Sequence, residues 1–234
     1  RLTVVSTRVR VHPGHNPLCH VGDPTPPTER TLRLSLAPVA LSVPSPTLPG
    51  MSNDSSAPLA ENATWQALQA TALGEVRRRA ALVAAVVDVE PTTVDGAERL
   101  AWNDGGGQSA VWYFTADGRA LLLTFDHEGS LNLYAEDDYA LQVSLYRGVP
   151  EDLVALVRDR PENYESLNLT DPDSGATIHY AGGVFWFDGD SWHIADGLVA
   201  YCEQEKIELN GEAGFSYCLA PYHFGEEFPE SGGK

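Results

Sequence analysis

Two runs of three consecutive aromatic residues, Trp112-Tyr113-Phe114 and Phe185-Trp186-Phe187, constrain this chain more than any other feature. Both lie in segments rich in strand formers, and successive side chains of a strand point to opposite faces. If Trp112 and Phe114 face one side, Tyr113 must face the other, and Trp186 opposes Phe185 and Phe187 in the same way. Either the sheet that carries them is covered on both faces, or one face presents aromatic groups to a partner. Both alternatives stand on the sequence alone.

The turns around these runs set the strand order. Asp117-Gly118 separates Ala110–Thr115 from Ala120–Phe125 and predicts a hairpin. Asp188-Gly189-Asp190 separates Gly183–Phe187 from Ser191–Ile194 and predicts a second. A further strand is expected at Thr177–Tyr180, after the turn at 171–175. Upstream, Trp65, Leu68, Ala72, Val76, Ala80, Val83 and Val87 recur at spacings of three and four, which predicts one long amphipathic helix ending before Pro91. Arg77, Arg78 and Arg79 diverge around that helix and cannot converge on a single anion, so they read as a solvated face. Helices are also expected at 140–146 and 150–158, broken at Gly148, and after Asp196 as N-cap. Hairpins interleaved with helices give an α+β fold: an antiparallel sheet with helices packed on it.

Charge and composition divide the chain at Met51, its sole methionine. Residues 1–50 hold nine of the 16 prolines, with five arginines against two acidic residues. Residues 51–234 carry 10 Lys+Arg against 31 Asp+Glu and contain all five tryptophans. The expectation is a non-native or disordered leader and tail over 1–57, with translation starting at Met51, and a single α+β domain over 58–234. So acidic a surface repels phosphate backbones and anionic membranes, leaving a basic protein as the partner its field selects. Solubility alone would explain the charge equally well. No apolar run reaches the ~18 residues of a membrane span. Leu32–Val43, the one stretch like a secretory signal, is interrupted by Pro38 and begins far from the terminus. Three cysteines without a C-x-x-C pair make no disulfide framework, and the cytoplasm is the expected compartment.

Motifs for chemistry are sparse. Asp126-His127-Glu128 closes the return strand of the first hairpin, so Asp126 and Glu128 are expected to share one face, with His127 on the other, and the two carboxylates could hold a divalent cation or act as acid and base. His179 or His193 could join such a metal-dependent hydrolase site. The plainer reading is hydrogen bonding by Asp126 or His127 to the following loop. His127, His179, His193 and His223 form no zinc pattern, and no G-x-S-x-G or phosphate-binding loop is present. Cys202 and Cys218, with apolar and aromatic neighbours, read as buried thiols. Gly105-Gly106-Gly107 reads as a flexible turn, and no motif points to a cofactor.

The segment Leu123-Thr124-Phe125-Asp126-His127-Glu128-Gly129-Ser130-Leu131-Asn132, together with Gly182-Gly183-Val184-Phe185-Trp186-Phe187-Asp188-Gly189, resembles a group of small acidic actinobacterial proteins with a Phe-Asp-His-Glu motif. Some of these are similar to immunity proteins of bacterial toxin systems, which bind and block a toxin. The resemblance implies a non-catalytic protein-binding domain of the antitoxin kind. The contact surface expected from charge and aromatic content comprises Glu136, Asp137, Asp138, Trp186, Asp188, Asp190 and Trp192. The hydrolase organised around Asp126, His127 and Glu128, and a housekeeping domain without a charge-selected partner, are the alternatives.

Overall fold

A computed structural model describes residues 59, 61–163, 167–209 and 215–229. The expectations for 1–57, including the start at Met51, lie outside the described residues. The fold is α+β, and its centre is a six-stranded antiparallel sheet. In chain order its strands are β1 (Thr92–Val94), β2 (Ala97–Asn103), β3 (Gln108–Phe114), β4 (Ala120–Asp126), β7 (Gly183–Phe187) and β8 (Trp192–Ile194). They lie side by side in that same order; β4 pairs directly with β7, and the chain between them, 127–182, makes its excursion outside the sheet. A separate ribbon pairs β5 (Asn168–Thr170) with β6 (Thr177–His179).

Register explains the aromatic triplets. Leu100, Trp112, Leu122, Phe185 and Ile194 form one row across five strands, and Arg99, Tyr113, Leu121, Trp186 and His193 form the adjacent row. Adjacent rows face opposite sides. Trp112 is 0 % exposed and Tyr113 1 %, so both faces are covered there. On the first face lie α1 (Ala63–Ala70), α2 (Leu73–Val86) and α6 (Ser216–Leu219). There the Trp112 ring meets Trp192, Tyr222 and Phe224 edge-on at 5.2–6.3 Å. Such pairs contribute roughly 0.5–1.5 kcal/mol each beyond their buried area. The second face carries α3 (Tyr139–Leu145), α4 (Glu151–Val154), α5 (Asp196–Glu205) and the β5–β6 ribbon. Phe125 packs on Tyr180 there, and the Tyr146 hydroxyl donates to the carbonyl of His179.

Four local expectations are corrected. The single helix over 65–87 is two: Thr71 and Ala72 are extended, and the Thr71 hydroxyl donates to the carbonyl of Ala67 instead of letting the ladder continue. Trp65, Leu68, Val76, Ala80 and Val83 are buried as the periodicity requires, whereas Ala72 is exposed. The helix expected over 150–158 is one turn. Beyond it the chain pairs with β6 through Asp159 N to Thr177 O and His179 N to Val157 O, and those ladder bonds replace helical ones. Asp196 makes no capping bond; Ala195 is the N-cap and Asp196 the first helical residue. The Arg77–Arg79 run is more than a solvated face. Arg77 pairs with Glu98, Arg78 and Arg79 pair with Glu75, and Arg79 also donates to the carbonyls of Tyr222 and His223.

Strands β1, β2 and β5, and helix α6, extend what the sequence indicated. Two glycines show how tightly the pieces meet. A Cβ at Gly197 would lie 1.8 Å from the Ser144 carbonyl oxygen, so α5 can approach α3 only with glycine there. Gly107, at φ +115°, has the Cβ of His127 where its own side chain would stand.

Candidate functional site

The expected surface divides into separate places. Glu136, Asp137 and Asp138 are exposed beside the short turn Tyr134–Glu136, and the Asp138 carboxylate accepts from Leu141 N at 2.9 Å to cap α3. This loop is fastened near the start of β7: Tyr180 bonds to the backbone of Leu131 and Leu133, and Leu131 abuts Gly182. Asp188 and Asp190 lie past the other end of the same strand. Five residues at ~3.3 Å each make that strand about 17 Å long. Trp192, at 4 % exposure, belongs to the core under α1 and α2 and is withdrawn from the contact surface. Its position follows from register: it pairs with Phe187, on the face of Trp112.

The second hairpin has a polar tip. Asp188 Oδ1 accepts from the amides of Asp190 and Ser191, and its other oxygen meets His193 Nε2 at 2.8 Å. Amide donation from Ser191 and Asp190, then the His193 bond, holds the Asp188 carboxyl down at about 2. His193 also stacks on half-buried Trp186, with ring centroids 4.4 Å apart. Ser191 Oγ meets the same Nε2 at 3.1 Å. In a nucleophile triad serine and carboxylate use opposite ring nitrogens; here both address one, so the ring cannot relay a proton between them. This arrangement ties off a turn.

Asp126, His127 and Glu128 do not converge. The strand ends at Asp126, which is buried, accepts from the Glu128 amide at 3.0 Å and lies 3.4 Å from Gln108 Nε2. Because the chain turns there, the alternation that would have put Asp126 and Glu128 on one face does not extend to Glu128. His127 is exposed, and its carbonyl accepts from Asn132. His179 is buried on the opposite face from α2, its imidazole pKa lowered to about 3 by burial and then by the Arg99 charge. Among the described residues no group of three or more His, Cys, Asp or Glu side chains is placed to hold a metal ion. Cys202 and Cys218 are buried free thiols, pushed up by burial to about 11 and about 12. A thiolate nucleophile is unfavourable at either.

A groove with an apolar lining was not foreseen from the sequence. It has a volume of about 610 Å³ and runs beside the C-terminal half of α2, where Leu82 and Val86 face Phe228 and Pro229, with Trp102 of β2 between the elements. Val86 is 84 % exposed. The signal was present in the doublets Leu82-Val83 and Val86-Val87: the core uses Val83, and the neighbouring ridge is surplus to it. Around the whole body, Arg77, Arg78, Arg79, Arg119, Arg158 and Arg160 are each engaged by carboxylates. No helix among the described residues is long and apolar enough to cross a membrane. No protein-family model matches this chain, and neither curated proteins nor solved structures give a significant match.

Proposed function

We propose that this chain is a non-catalytic, acidic protein-binding domain whose partner is a basic protein, an immunity-type antitoxin that blocks a toxin being the form its sequence resemblance favours. The carrying observation is the charge balance. With 15 Lys+Arg against 33 Asp+Glu, and most folded-domain arginines already paired internally, a large carboxylate surplus faces solvent. Such a field accelerates encounter with a cationic protein and disfavours nucleic acid and anionic membranes. Free buried thiols fit a reducing compartment, and the cytoplasm is the proposed location.

Buried Asp126 and the divergent Glu128 give the metal-hydrolase alternative no support. The test is affinity capture with the full chain at low and high ionic strength, identifying what is retained. A basic protein held at low salt and released at high salt is expected. Retention of nothing, or of proteins indifferent to salt, sinks the proposal.

A further inference from the structure

We infer that the apolar groove beside α2 is the docking site for a basic amphipathic helix of the partner. This rests on the basic-partner reading above and adds to it the place and the shape of contact. Leu82 and Val86 are four residues apart, so they form a ridge along α2 of the kind that accepts the ridges of a second helix. A hydrophobic side chain as exposed as Val86, at the lip of a 610 Å³ apolar concavity, is poorly used in the isolated chain. The facing wall is held in place beforehand. Phe228 lies under the guanidinium groups of Arg78 and Arg79 at 5.6 and 5.4 Å, and Arg79 binds the carbonyls of Tyr222 and His223. A preformed wall reduces the ordering cost of binding.

The charge around the groove specifies the occupant. α2 ends without a basic residue in its last turn, and its negative end is followed by Asp88, in the left-handed region at φ 58°, and by Glu90. Carboxylates at a helix C-terminus oppose the helix dipole, the reverse of the stabilising arrangement. On the other wall exposed Glu226 and Glu227 precede Phe228. Asp88, Glu90 and Glu227 form no ion pair among the described residues, whereas Arg78 and Arg79 share the one carboxylate of Glu75, and His223 of the lining meets Glu226. A helix with leucine-like residues on one face and Lys or Arg along its flanks satisfies both the apolar lining and the acidic surround. A second copy of this chain, at net charge −18, does not.

The experiment uses the full chain and two labelled synthetic peptides, each with leucines at helical spacing, one otherwise lysine and the other otherwise glutamate. Fluorescence anisotropy should show binding of the Leu/Lys peptide, weakened by salt, and none of the Leu/Glu peptide. Val86→Ser, at a position too exposed to threaten folding, should weaken Leu/Lys binding about tenfold. Asp88→Asn with Glu90→Gln should weaken it and flatten its salt dependence. Glu136→Gln with Asp137→Asn, beside α3, should leave it unchanged. If Val86→Ser binds normally while the Glu136/Asp137 variant does not, the groove is wrong and the basic-partner reading stands. Equal binding of both peptides, binding of neither, or a Val86-dependent dimer in sedimentation also overturns the inference. The capture experiment judges the basic-partner reading separately.

Discussion

Consider Gly197→Ala. The new Cβ would stand 1.8 Å from Ser144 O, 2.9 Å from Ser144 C and 3.0 Å from Leu145 C, all of them backbone atoms that cannot swing aside. Ordinary contact begins near 3.4 Å, so the first of α5's turns must retreat from α3 by about 1.5 Å. That retreat breaks the 2.9 Å bond from Gly197 N to Arg147 O and loosens Leu198 and Cys202, both fully buried. Overpacking of this sort costs about 1–3 kcal/mol and the lost hydrogen bond about 1, while alanine's helix propensity returns at most about 1. The net is a destabilisation of about 1–3 kcal/mol. For a domain of this size that lowers Tm by roughly 2–12 °C. Urea and thermal unfolding followed by circular dichroism measure it. Gly74→Ala is the control: it lies in α2 with nothing within 4 Å of its Cβ and should raise stability by up to about 1 kcal/mol. If Gly197→Ala unfolds within about 0.5 kcal/mol of the parent, the close approach of α5 to α3 is refuted.

Asp88→Gly relieves a left-handed residue and removes a charge from the negative end of α2, so it should stabilise by about 1 kcal/mol while weakening the Leu/Lys peptide; a loss of stability in urea would contradict this. His179 has a folded-state pKa depressed to about 3, by burial and then by Arg99, against about 6.5 unfolded. Its contribution is therefore complete above pH ~6.5 and declines by about 1.4 kcal/mol per unit as pH falls towards 3. His179→Gln should flatten the stability profile between about pH 6 and pH 4, and an unchanged slope there refutes the assignment. In a Cys19→Ser chain, Cys202 and Cys218 should resist a thiol reagent at pH 8 until the chain is unfolded, because burial raises both; rapid labelling of that native protein would show that they are accessible.

Local pattern made the α+β class legible. Asp117-Gly118 and Asp188-Gly189-Asp190 are turns because their residues tolerate the backbone a hairpin needs, and Gly118 and Gly189 do have positive φ. The aromatic triplets posed a choice between double coverage and display that local information could not resolve. Only the packing of α1, α2 and α6 on one face and α3, α5 and the ribbon on the other buries Trp112 and Tyr113 together. The short strands β1 and β5 escaped the sequence because three residues carry too little periodicity to register.

The site was less legible than the fold. Residue type suggested that Trp192 and the Asp188–Asp190 turn belonged to one surface, but the side a strand residue faces depends on its pairing partner, and the pairing with Phe187 turns Trp192 inward. The groove depends on α2, β2 and the 221–229 segment meeting, contacts between residues more than a hundred positions apart. Charge, turn chemistry and helix or strand period are properties of neighbouring residues and so were already present in the order of the amino acids. Which apolar and acidic groups remain facing water depends on the packing of distant elements, because exposure is whatever that packing leaves uncovered.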